Sequence, residues 1–164
     1  MRRVISIGLI IGFLFLVLIG CNKELTGDEK TAAEYVKAQG FTIISHKGEF
    51  HRYTLEKNKL YGTTESIPYR QAWAVQKVEP DKYFGKEIII YRFIVSNHPL
   101  EKINKSNTNV YIMLSEGKVI GGYSFPNIDG LVGSVYSIDG KTLEEVTGMN
   151  NKDWLDNWEK KYSS

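Results

Sequence analysis

Cysteine occurs once in the 164 residues, at position 21, so no disulfide can form within the chain. A domain without that staple rests on apolar packing alone. Charge of one sign is missing too. With residues 1–20 and their two arginines set aside, 19 Lys and Arg face 19 Asp and Glu. That balance gives no argument for nucleic acid or an anionic membrane surface as partner, and no nucleic acid is expected. Internal repeats, low-complexity tracts and a second composition regime are absent, which favours one domain. Long apolar runs are also scarce. A single one, Val4 to Ile19, is interrupted only by Ser6, Gly8 and Gly12.

That run follows Arg2 and Arg3 and ends at Leu18-Ile19-Gly20-Cys21. Its sixteen residues are somewhat short for a membrane span, which needs roughly 20, and suit the apolar core of an export signal. The last four residues resemble the lipobox of bacterial lipoproteins. The resemblance implies a diacylglyceryl group on the Cys21 thiol and cleavage between Gly20 and Cys21. An uncleaved signal anchor is the rival reading. Removing 20 residues from 164 leaves 144, enough for one domain. The expected organisation is a signal peptide over 1–20, the lipidated cysteine and a short polar tether over 21–27, and one extracytoplasmic domain over 28–164. Five residues of tether reach no more than roughly 18 Å, so the domain should ride close to the membrane.

Thr26-Gly27-Asp28-Glu29 offers a capping box, with Ala32, Ala33, Tyr35, Val36 and Ala38 behind it and Gly40 as terminator. Phe41–Ser45 and Phe50–Leu55 read as a hairpin around His46-Lys47-Gly48-Glu49. Glu56 to Tyr69 reads as a long surface loop, and Trp73 to Val78 as a strand. Glu87 to Ser96, with three consecutive isoleucines, reads as a central strand ended by Asn97-His98-Pro99. Asn109–Ser115 and Lys118–Phe125 form a hairpin around Glu116-Gly117, and 128–138 holds one more short strand. A last helix from about Lys152, capped by Asn150 or Asn151, carries Trp154, Leu155, Trp158 and Tyr162 at helical spacing. The fold class is α+β: one mostly antiparallel sheet with an N-terminal and a C-terminal helix packed on it.

Little in the chain points to catalysis. His46, Glu49 and His51 form a zinc-like ligand set, but their spacing suits exposed turn residues better. Ser115-Glu116-Gly117-Lys118 matches S-x-x-K across a hairpin turn rather than on a helix. Gly140-Lys141-Thr142 lacks the first glycine of a phosphate loop, since position 135 is Val135, and Asn127-Ile128-Asp129-Gly130 lacks the closing carboxylate of a calcium loop. No metal, cofactor or catalytic residue is assigned, and the chain is read as non-catalytic. An envelope hydrolase or transferase of unrecognised type is an alternative.

Aromatic residues are the remaining signal. Ten Tyr, seven Phe and three Trp supply large packing units and stacking surfaces. Tyr61, Tyr69, Trp73, Tyr83 and Phe84 cluster in or beside the presumed loop, where they could pack or receive a sugar ring or peptide. Packing is the simpler reading, and Trp154 and Trp158 read as packed. Trp73 to Pro80, Tyr83-Phe84-Gly85-Lys86-Glu87-Ile88 and Asn97-His98-Pro99-Leu100 resemble an uncharacterised family of small lipoproteins from Gram-positive, Bacillus-like bacteria. The resemblance implies a cell-envelope location and carries no catalytic residues. The expected function is that of a lipid-anchored binding or interaction module on the extracytoplasmic face of the cell membrane. Its expected partners are the membrane, through Cys21, and an envelope protein or small ligand; a solute- or glycan-binding sensory lipoprotein is an alternative.

Overall fold

Leu25 and residues 27–163 are described by the computed structural model. The signal segment, Gly20, Cys21 and Thr26 lie outside these residues, and so do the readings that rest on them. Along the chain run α1 (Gly27–Ala38), β1 (Thr42–Thr54), α2 (Ile67–Ala74), β2 (Glu87–Ser96), α3 (Pro99–Asn104), β3 (Thr108–Ser115), β4 (Lys118–Pro126), β5 (Tyr136–Ser137), α4 (Leu143–Thr147) and α5 (Asn151–Tyr162). The strands form one sheet in the order β1-β2-β3-β4-β5, each pair antiparallel. The architecture is α+β, with helices at both ends of the chain packed on the sheet.

Alternation along the strands divides the core between two faces. On one face Phe93, Val95, Val110, Ile112 and Leu114 meet Ala32, Ala33 and Val36 of α1. On the other, Tyr53, Ile88, Ile90 and Met113 meet Trp73 of α2 and Trp158 and Tyr162 of α5. Burial on both faces explains the near-continuous apolar sequence of β2. Gly40 ends the α1 segment at φ +85°, a left-handed conformation that glycine enters at no steric cost. Glu116 and Gly117 both have positive φ, as a tight two-residue hairpin turn requires.

Three sequence readings are corrected. Phe41–Ser45 and Phe50–Leu55 do not form a hairpin; β1 runs straight through 46–49, with register shifts on either side of Glu49. Gly48 takes φ +76° within the strand, and a positive-φ glycine serves an irregular strand as well as a turn. Trp73 to Val78 is not a strand. Trp73, Ala74 and Val75 are consecutively buried at the end of α2 and just beyond, which no half-exposed strand permits. The presumed loop over 56–69 contains two short 3₁₀ turns, Lys57–Lys59 and Thr64–Ser66, that bury Leu60 and Ser66 before α2 begins. Two short helices, α3 and α4, were not anticipated. The second has a full capping box: Thr142 N donates to Glu145 Oε2 at 2.7 Å and Glu145 N to Thr142 Oγ1 at 3.2 Å. Among the described residues, no helix is long and apolar enough to cross a membrane.

Candidate binding cleft

Helices α2 and α5 cover only part of their face of the sheet, and beyond them a row of aromatic side chains grades from buried Tyr123 through half-buried Tyr111 to exposed Phe50. Its geometry comes from two irregularities. In β1 the register moves from Glu49 opposite Tyr91 to His51 opposite Ile90, so Phe50 is an extra residue. A bulge lets neighbouring side chains emerge on one face. Phe50 meets Tyr111 edge-on at 4.9 Å, while His51 stacks on Tyr53 at 5.4 Å. In β4 the pairs Leu114–Val119 and Met113–Gly121 leave Ile120 as an extra residue. From there Tyr123 falls opposite Tyr111, and the two rings stack at 4.7 Å with 10° between their planes.

The row Phe50, Tyr111, Tyr123 forms the floor of a cleft. One part, with a volume of about 370 Å³, is walled by Pro68, Tyr69 and Ala72 of α2 and by Glu65. The adjoining part, about 350 Å³, shares Phe50, Pro68 and Tyr123 and is closed by Phe125 and by Leu131, Val132 and Gly133 after β4. Phe50 is 51% exposed and Val132 89% exposed, so the apolar surface continues onto the rim. Tyr69 is held in the wall by its hydroxyl, 3.1 Å from His51 Nε2, and by its ring edge against Tyr53 at 4.7 Å.

The tyrosine hydroxyls of the cleft carry no charge. Burial pushes the phenol of Tyr123 far up from its ordinary value and that of Tyr111 upward, with Arg92 opposing the latter. Tyr53 is raised by burial, against the opposing effect of the hydrogen bond that Trp73 Nε1 donates to its hydroxyl at 3.0 Å. These hydroxyls therefore stay neutral and act as hydrogen-bonding groups. The arrangement is suited to stacking and apolar contact.

Of the five aromatics singled out in sequence, Tyr69 alone lines the cleft. Trp73 is 2% exposed in the core, and Tyr83 packs on it at 5.7 Å. Phe84 meets Tyr162 edge-on at 6.3 Å, and the Tyr61 hydroxyl donates to Glu159 Oε1. Trp158 packs as expected, with Nε1 donating to Leu60 O at 2.9 Å. His46 and His51 lie on opposite faces, His46 against Phe93 and His51 against Tyr53, while Glu49 pairs with Arg52 at 2.7 Å. Among the described residues no three His, Cys, Asp or Glu side chains are placed to hold a metal ion. Ser115 is buried, its Oγ donating to Glu87 O at 2.9 Å, and Lys118 stands across the hairpin turn from it. The residues that sequence reading missed are Phe50, Tyr111, Tyr123 and Phe125, whose shared face depends on bulges that no residue type announces.

A second groove of about 310 Å³ runs between the C-terminal part of α1, the edge of β4 and α4. Its lining mixes Gln39, Gln76, Asp139, Lys141 and Glu145 with Tyr35, Val75, Val119, Ile120, Ile138 and Val146. Comparison of the chain with protein-family models, curated proteins and solved structures finds no match.

Proposed function

We propose that this chain is a non-catalytic binding module, that its ligand lies in the aromatic cleft, and that lipid on Cys21 holds it at the extracytoplasmic face of the membrane. The observation that carries the reading is the cleft over exposed Phe50 and half-buried Tyr111, with Tyr123 buried at its base and Val132 exposed on the rim. A domain that buries Trp73 and Trp158 elsewhere on the same face has left this part uncovered. Contiguous exposed apolar surface of that kind marks an interaction site more often than idle surface.

The first turn of α1 lies beside the β3–β4 turn, where a Cβ on Gly117 would stand 3.6 Å from Asp28 Oδ1. The 131–133 rim follows the other end of β4, nine residues or roughly 30 Å away. The described first turn of α1 and the 131–133 rim thus lie toward opposite ends of β4.

Calorimetric titration of the chain with indole, a neutral aromatic probe, tests the cleft. One saturable site is expected, weakened about tenfold or more in Tyr111→Ala and Phe50→Ala. Binding unaltered by both substitutions would place the site elsewhere.

A further inference from the structure

Arg92 stands on β2 directly opposite Tyr111, so its side chain leaves the sheet on the cleft face, flanking Tyr111 at the margin of the cleft rather than within its lining. Its Nε donates to Asn109 Oδ1 at 3.0 Å, and Asn109 Nδ2 donates in turn to Asn127 Oδ1 at 3.2 Å. This relay fixes the guanidinium plane. No carboxylate among the described residues pairs with Arg92, whereas Arg52 is bridged by Glu49 at 2.7 Å and Glu87 at 2.8 Å. With Nε engaged, the two Nη groups remain as a fork whose geometry matches the two oxygens of a carboxylate. Glu65 lies in the opposite wall, where Lys59 Nζ also stands 5.2 Å over the Tyr69 ring, so that end carries both signs of charge.

We infer that the cleft takes a small organic anion, its apolar or aromatic body resting on Phe50, Tyr111 and Tyr123 and its single carboxylate held by Arg92. This rests on the cleft being the binding site. The position of Arg92 also orients the ligand, with its body toward Pro68 and Tyr69 and its head toward β2 and β3. Neutral apolar molecules fill the same floor but leave the guanidinium without a partner, so the carboxylate contributes selectivity more than bulk affinity.

The full chain in lipid nanodiscs is titrated with 3-phenylpropionate and with 3-phenylpropionamide, which share a body and differ in charge. The acid is expected to bind about tenfold more tightly or better, since a charge-assisted pair adds that much over a neutral one. Arg92→Gln should abolish the preference while leaving the amide's affinity within about twofold, which also reports that the fold is intact. Arg92→Lys should retain part of it. Equal binding of acid and amide by the native chain, or a preference that survives Arg92→Gln, would overturn the inference. If indole still binds in that case, the cleft stands and only its anion selectivity falls; if neither indole nor the acid binds, both readings fall.

Discussion

The side-chain amide of Gln76 closes the backbone of Gly122 as a neighbouring strand would. Oε1 accepts from Gly122 N at 2.9 Å, and Nε2 donates to Gly122 O at 3.1 Å. β5 pairs only with Tyr123 and Ser124, so without Gln76 this stretch of the β4 edge would present unpaired groups. The approach needs glycine at the neighbouring position: a Cβ on Gly121 would lie 2.1 Å from Gln76 Oε1. Gln76→Ala should therefore cost about 1 to 3 kcal/mol in denaturant melts, the penalty of stranding buried polar groups. Gly121→Ala should produce a similar loss by pushing the amide away. The double variant should lose clearly less than the two losses added, because both remove one interaction. Strict additivity would show that Gln76 and Gly121 act independently.

Trp158 and Tyr61 make a paired test of core against surface. Trp158 is 8% exposed and anchored on Leu60 O, so Trp158→Ala should cost about 3 to 5 kcal/mol. Tyr61 is half-buried and donates to Glu159 on an exposed helix surface, so Tyr61→Ala should cost much less, about 1 kcal/mol or under. The reverse order in denaturant melts would mean that α5 docks differently.

His98 gives stability a pH dependence of defined sign. Its Nδ1 accepts from Leu100 N at 3.2 Å, capping α3, and its Nε2 faces Ile138 O at 2.9 Å. The ring is thus neutral with its proton on Nε2, and burial holds its pKa below the usual 6.5, against the opposing hydrogen bond to Ile138. The unfolded chain takes the proton first as pH falls. Stability should be fully present above about pH 6.5 and decline as pH drops toward the depressed folded value. His98→Asn keeps a capping acceptor without the titration. Its melting midpoint should stay flat between about pH 7 and pH 5.5, where the native chain's falls. The carboxylates of Glu49, Asp139, Glu145 and Asp156 are held below their ordinary values and act in a more acidic window. Equal slopes in the two chains would remove His98 from the account.

Cys21→Ser should leave the precursor unprocessed and unacylated, because a hydroxyl is a far poorer nucleophile than a thiolate near neutral pH. Metabolic labelling with a fatty acid, read by mass, checks it. An acylated, fully processed Cys21→Ser chain would contradict lipid attachment at this position.

Elements with long, regular patterns were legible from sequence. Glu87–Ser96 announced β2 by ten residues rich in Ile, Tyr, Phe and Val, and the β3–β4 hairpin was marked by Glu116-Gly117. The α5 face was legible from Trp154, Trp158 and Tyr162, and its cap is Asn150. The cleft was hidden for a physical reason. Counting outward from the Glu116-Gly117 turn pairs Tyr111 with Gly122, and only the extra residue at Ile120 brings Tyr123 opposite Tyr111. A one-residue slip moves every later side chain to the other face. Phe50 is likewise aimed by a bulge, and the glycine that marks irregularity in β1 reads equally well as a turn. α2 was missed because its buried C-terminal end, Trp73 to Val75, has no period that separates helix from strand.

The most direct test of the cleft is an amide-resolved NMR titration of the chain with indole. Saturable shifts are expected to converge on Phe50, Tyr69, Tyr111, Tyr123 and Val132, and to vanish in Tyr111→Ala. Shifts centred on Gln39, Asp139 and Glu145 in the groove beside α4, or shifts that never saturate, would contradict binding in the cleft.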